Sequence, residues 1–142
     1  MRPEAKEVVQ KLHERNIAVV IISGDNEQPT KKLAEELSIP TYFAETLPEN
    51  KATLIEQLQN EGQSVCFVGD GINDSIALKK ADVSISLLGA STIATDTAQI
   101  ILMNQNLNQI IEAFDIAKLF KKNMKANFAA TTAVPAPDVP LR

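Results

Sequence analysis

Cys66-Phe67-Val68-Gly69-Asp70-Gly71-Ile72-Asn73-Asp74 runs from an apolar, strand-like segment into a turn carrying two glycines and two aspartates. Gly69 and Gly71 let the backbone bend tightly and approach an anion closely. Asp70 and Asp74 stand four positions apart and converge on one cation if a helix begins at the turn. The N–H groups opening such a helix would face a phosphate. Two other turn chemistries fit poorly. A G-x-G-x-x-G dinucleotide fingerprint fails at Asp74, where a carboxylate would meet a pyrophosphate. A calcium loop needs a glycine at its sixth position and a glutamate at its twelfth, and starts at Asp70 or Asp74 supply neither. A polar turn with a capping Asn or Asp would account for a lone Gly-Asp-Gly, so the rest of the chain decides.

Upstream, Ile17-Ala18-Val19-Val20-Ile21-Ile22 is apolar and largely β-branched, the pattern of a strand covered on both faces, and it ends in Ser23-Gly24-Asp25. A helix over residues 3–15, with an apolar stripe of Val8, Val9 and Leu12, precedes it. Pro29 opens a second helix to about Leu37, and a short strand follows over Ile39–Ala44. Pro48 starts a third helix that Gly62 stops. Beyond the strand Ser64–Val68, the pattern gives a helix over Asn73–Lys80, strands over Asp82–Leu87 and Gln99–Met103, and a closing helix over about Leu107–Lys125. Alternating strands and helices imply an α/β fold, a three-layer open parallel sheet. In such sheets ligands sit beyond the carboxyl ends of the strands, where Ser23–Asp25 and Gly69–Asp74 both fall.

At 142 residues and 44% hydrophobic content, one domain buries roughly 68–70% of its unfolded surface. It is expected over residues 1–128, with a disordered Ala-, Thr- and Pro-rich tail over 129–142. A net charge of -4 and interspersed lysines and glutamates give no face for nucleic acid. Cys66, the single cysteine, lies in an apolar run and is expected to be buried and inert. His13 is expected on a wet helix face. No apolar signal core follows Met1, and no stretch approaches the ~20 apolar residues that span a bilayer. A cytoplasmic chain without membrane contact is expected.

Lys51, in the first turn of the third helix, can reach the same sheet edge. Ser23, Lys51, Asn73, Asp70 and Asp74 then form one constellation. Its order resembles the haloacid dehalogenase superfamily, a Rossmannoid fold, and its wording resembles the P-type cation-transporting ATPases. That family's T/S-G-D-N, P-E-x-K and G-D-G-x-N-D elements stand here as Ser23-Gly24-Asp25-Asn26, Pro48-Glu49-Asn50-Lys51 and Gly69–Asp74. Arg2-Pro3-Glu4-Ala5 and Leu78-Lys79-Lys80-Ala81-Asp82-Val83 also resemble its phosphorylation domain, so the likeness runs from about Arg2 to Phe128. The compact spacing and Leu47-Pro48-Glu49 look like the heavy-metal branch. The resemblance implies that Asp70 is a Mg²⁺ ligand and that Asp74 supports the metal or its waters. It further implies that Ser23, Lys51 and Asn73 hold phosphoryl oxygens, with Gly24 and Gly71 in the same binding loops. Asp25 would lie near nucleotide or domain-closure contacts. The implied parent is a membrane pump with this domain on its cytoplasmic side, using Mg²⁺ and ATP, the latter through a nucleotide-binding domain that this sequence lacks.

The family's phosphorylated aspartate stands in a D-K-T-G-T loop after a first strand, and no segment here matches it. Asp82, Asp115 and Asp138 are unsuitable substitutes by position, and Asp96 lacks the glycine and threonine that would have to follow it. Ser75-Ile76 replaces the family's usual Ala-Pro, and Gly89-Ala90-Ser91-Thr92 follows its G-x-G-T pattern loosely. The strand bearing the nucleophile is central in this superfamily, so its loss is expected to leave either direct pairing of the strands ending at Ile22 and Val68, or self-association or pairing with the missing strand through an exposed edge. The function implied is part of the phosphorylation domain of a metal-cation pump. The alternatives are an autonomous phosphatase using a carboxylate such as Asp25, and a non-catalytic interaction module.

Overall fold

Val8, Val9 and Leu12 give the first helix, α1 (Ala5–Glu14), an apolar side broad enough to serve two clusters at once. In the computed structural model, which describes residues 1–69, 72–89 and 92–133, Val8 and Leu12 pack with Ile85, Leu87, Leu102, Ile110 and Ile111. Ala5 and Val9 pack with Leu37 and Ile39. The remaining elements are β1 (Val20–Ile22), α2 (Glu27–Leu37), β2 (Thr41–Phe43), α3 (Pro48–Asn60), β3 (Cys66–Val68), a 3-10 turn (Ile72–Asp74) and α4 (Ser75–Lys80). The order closes with β4 (Val83–Leu87), α5 (Thr92–Thr97), β5 (Ile100–Leu102) and α6 (Asn108–Ala133).

All strand pairs are parallel, as the alternation of strands and helices requires. Among the described residues they form two sheets. β1 pairs with β2, with Val20 opposite Thr41. β4 lies between β3 and β5, with Cys66 opposite Val83 and Ile85 opposite Ile100. Direct pairing of β1 with β3 is not found among the described residues. The expected parallel α/β sheet is thus present with an interruption between β1 and β3. On the face opposite α1, Ile55 of α3, Ala77 of α4 and Ala81 just after it cover Val65 and Phe67.

The interruption changes two burial expectations. Val20–Ile22 is half-buried instead of fully covered, since a strand with one neighbour lacks the layers that sheathe a central one. Cys66 is exposed instead of buried. Apolar mass around its sulfur nonetheless desolvates the thiolate and pushes the thiol above its ordinary pKa. His13 is exposed, as expected.

Element ends move for local reasons. α2 starts at Glu27, so Pro29 lies inside the first turn, where its missing N–H costs nothing. α5 was not legible, because Thr92–Thr97 is rich in β-branched residues; burial of Ala94 holds it. α6 passes the boundary expected at Phe128 and ends at Ala133, since no proline interrupts the chain before Pro135. Residues 134–142, the rest of the expected tail, lie outside the described residues. Glu4 Oε1 accepts from Leu107 N–H at 3.2 Å and Arg15 meets Asp115 at 2.6 Å, tying α6 to both ends of α1. Among the described residues no helix is long and apolar enough to cross a membrane.

Asp82 precedes β4, where its Oδ2 accepts from Val65 N–H at 2.7 Å. That bond first, and the Gln59 side chain second, hold its carboxyl below the ordinary value of 3.8. A depressed carboxyl contributes stability above its unfolded pKa and loses it as pH falls through the folded one. Asp82→Asn is therefore expected to lower the urea midpoint at neutral pH and to flatten its decline below about pH 4, as measured by urea melts across that range. An unchanged acid limb would refute the assignment.

Candidate functional site

Pro48 occupies the first position of α3 after an extended Leu47 (φ -65°, ψ 154°), which places Lys51 in the first helical turn. From there Lys51 Nζ reaches Asp74 Oδ1 at 2.7 Å. The lysine side chain is 11% exposed and the aspartate side chain 13%, so salt and water screen this pair far less than a surface pair. Asp74 closes the 3-10 turn and stands at the entry to α4. The turn shifts the start of α4 to Ser75, so Asp74 lies before the regular helix and not within it.

Gly69 explains how a carboxylate comes so near the strand end. A Cβ there would stand 2.9 Å from Asp74 Cβ and 2.9 Å from Phe67 Cε1, too near for any side chain. Gly24 differs, since its Cβ would meet only Thr46 O at 3.6 Å, an ordinary contact. The close approach needs glycine at 69 and not at 24.

The loop after β1 is stitched to the loop after β2. Ser23 N–H donates to Phe43 O at 2.8 Å, Thr46 N–H to Ser23 O at 2.9 Å, and Glu45 N–H to Asp25 O at 2.8 Å. Ser23 Oγ accepts from Asp25 N–H at 3.0 Å, which fixes the hydroxyl while leaving its own proton to donate. Thr46 then leads directly into Leu47 and α3. Sequence reasoning missed buried Thr46, because its contribution is a backbone N–H that any residue but proline supplies.

Lys51, Asp74 and Gly69 are thus in mutual contact or one contact removed, and Ser23 is linked to them through Thr46 and α3. Gly24, Asp25 and Asn73 are exposed in the same loops. Asp70 and Gly71 lie outside the described residues. Of the carboxylates considered as substitute nucleophiles, Asp82 holds Val65 at the amino end of β4 and Asp115 holds Arg15, while Asp138 lies outside the described residues.

No group of three or more His, Cys, Asp and Glu gathers among the described residues. Magnesium does not require one, since it is commonly held by one or two carboxylates together with phosphate oxygens and water. The Asp74 carboxylate, a hard oxygen donor pressed against Gly69, suits that ion and is ill suited to a thiophilic metal. A cation at Lys51 and N–H groups at strand ends suit an anion.

Three comparisons fit this geometry. A family model described as haloacid dehalogenase-like hydrolase matches residues 1–82. A zinc-transporting ATPase of Bacillus subtilis is 36% identical over 134 residues, covering 94% of this chain and 21% of the relative. A probable copper-transporting ATPase, SynA, of Synechococcus is 41% identical over 128 residues, covering 89% of this chain and 16% of that protein. The chain therefore spans about a fifth or less of these relatives. The solved catalytic domain of the CPx-ATPase CopB-B is 36% identical with a TM-score of 0.75, covering 79% of this chain and 44% of that one.

Removing either partner of the enclosed pair takes from the other its 2.7 Å counter-charge. Lys51→Met and Asp74→Leu are each expected to destabilise the fold by about 2–4 kcal/mol, and the double variant by less than their sum. Chemical denaturation of the four proteins checks this; additive losses would show that the pair is not coupled. Gly69→Ala is expected to cost about 1–3 kcal/mol through displacement of Asp74 or Phe67, while Gly24→Ala costs under ~1 kcal/mol. Equal effects in thermal melts would refute the distinction.

Proposed function

The chain belongs to the haloacid dehalogenase-like hydrolases, and on that footing we propose that it is a phosphoryl-handling portion of the catalytic domain of a metal-cation pump. The observation that carries this reading is the enclosed Lys51–Asp74 pair, set at the carboxyl edge of parallel strands and backed by Gly69. Its relatives transport zinc or copper by name, which supports a heavy-metal parent without choosing the ion.

In this reading the phosphoryl group lies between the loops after β1 and β3. Lys51 neutralises one of its oxygens, Ser23 and Asn73 donate hydrogen bonds to others, and strand-end N–H groups complete the cradle. Phosphoryl transfer depends on such positioning and charge neutralisation. Asp70 and Asp74 would hold Mg²⁺ directly or through its waters, and the ion supplies further neutralisation of phosphoryl charge when bound. ATP reaches the parent through a separate nucleotide-binding domain. Asp25 borders the entrance and meets nucleotide or the closing domain. Because the sequence carries no D-K-T-G-T loop, the phosphorylated aspartate is supplied by another part of the parent. The domain faces the cytoplasm in that parent, which is a membrane protein.

Incubation with Mg²⁺ and acetyl phosphate is expected to add no phosphoryl mass to the intact chain. Orthovanadate with Mg²⁺ is expected to raise Tm by about 3–6 °C at ten times its Kd, and Lys51→Ala to abolish that shift. A hydroxylamine-sensitive adduct lost in Asp25→Asn would replace this reading with an autonomous phosphatase. An absent Mg²⁺-dependent shift would remove the phosphoryl site itself.

A further inference from the structure

β4 carries two serines on the face turned away from α1. Ile85 and Leu87 point toward α1 and α6, where they join the core, so by alternation Ser84 and Ser86 point to the other side. Both serines are buried. Ser84 exchanges two hydrogen bonds with Gln99: its N–H donates to Gln99 Oε1 at 3.2 Å, and its Oγ accepts from Gln99 N–H at 3.1 Å. Ser86 Oγ, wholly enclosed, finds no partner among the described residues. A buried hydroxyl in that condition carries its desolvation cost uncompensated, and alanine in its place would carry none.

The position of Ser86 gives the hydroxyl a use. Val68 stands opposite Ile85, and the pairing runs one step further through the 3.0 Å bond from Gly69 N–H to Ile85 O. Ser86 is therefore opposite Gly69, one strand spacing away. Phe67 stands opposite Ser84 and packs on the Ile55 and Ala77 side, so Phe67, Ser84 and Ser86 share one face. Asp74 enters on that same face: a Cβ on Gly69 would stand 2.9 Å from Phe67 Cε1 and 3.0 Å from Asp74 Oδ2. The two carboxylate oxygens thus face different elements. Oδ1 is held by Lys51 of α3 at 2.7 Å, while Oδ2 lies over Gly69, beside Ser86.

We propose that Ser86 is a positioning residue for Asp74, its hydroxyl donating to Oδ2 when Lys51 turns from Asp74 to an anion. An enclosed carboxylate that gives up a counter-charge needs a replacement donor close by, and a hydroxyl donating to a carboxylate in such surroundings makes a strong bond. Serine can supply it through rotation of its side chain alone, with no movement of the strand. A bond at Oδ2 fixes the plane of the carboxylate and keeps Oδ1 directed toward the loops after β1 and β3. The consequence for ligand binding rests on the phosphoryl reading; the bond between Ser86 and Asp74 does not.

The test is a double-mutant cycle on the intact chain, with Ser86→Ala made alone and together with Lys51→Met. Thermal melts and titration with orthovanadate at saturating Mg²⁺ are the two readouts. With Lys51 in place, Ser86→Ala is expected to leave Tm unchanged or to raise it, since it removes a buried hydroxyl without a partner. In the Lys51→Met background the same substitution is expected to lower Tm by about 3–6 °C, because Asp74 then loses Ser86 as well. With Lys51 in place it is also expected to weaken orthovanadate binding about tenfold, a loss that a merely structural serine would not produce at unchanged Tm. Equal Tm changes in the two backgrounds would overturn the proposed bond, and unchanged orthovanadate affinity would overturn its role in binding. If Lys51→Met does not fold, the titration decides alone. An unaltered chain that binds no orthovanadate would remove the phosphoryl reading and the binding role together, while the cycle still decides the bond.

Discussion

The 2.7 Å contact between Lys51 and Asp74 joins, at the carboxyl ends of the strands, two sheets that no strand pairing joins among the described residues. α1 provides the corresponding connection within the core. The burial beneath α1 is non-directional and tolerates sliding, whereas a charge-assisted bond of fixed length does not. The enclosed ion pair thus helps set the register of the loops after β1 and β3, together with the Lys80–Glu56 and Gln59–Lys80 contacts that also join α3 to α4.

Periodicity made most of this fold legible. Apolar stripes gave the helices, and Ser23-Gly24-Asp25 and Gly69–Asp74 gave the edge at which a ligand would sit. Ser23, Gly24 and Asp25 follow β1, Lys51 lies in the first turn of α3, and Asn73 and Asp74 lie in the 3-10 turn, while Asp70 and Gly71 fall outside the described residues. What sequence could not supply was partnership. Lys51 and Asp74 were assigned to a phosphate and a metal separately, because each residue type fits its ligand; that they hold each other follows only from the path of α3. β4 teaches the same lesson from the core. Its Val-Ser-Ile-Ser-Leu alternation suggests a solvent-facing serine side, yet Ser84 and Ser86 are buried. Ser84 Oγ accepts from Gln99 N–H at 3.1 Å, a satisfaction that alternation alone does not foretell. Ser86 Oγ has no partner among the described residues.

The burial of Cys66 and β1 was misread for one shared reason. An apolar β-branched run signals a covered strand only if the sheet on both sides exists, and strand pairing is a non-local property. Cys66 lies on the edge of β3 away from β4, and no strand among the described residues pairs with that edge.

The same ion pair constrains how ligands can enter under the proposed function. A phosphoryl group that takes Lys51 leaves Asp74 enclosed with its charge less compensated, and a cation that takes Asp74 does the same to Lys51. Each ligand alone must disrupt an interaction of low screening, while both together replace it with two new ones. Binding of the anion and the cation is then coupled favourably, with each raising the affinity of the other by the same factor. A pair that holds these loops in register also penalises half-filled forms of the site, so under the proposed function the site favours the metal and the phosphate as one unit.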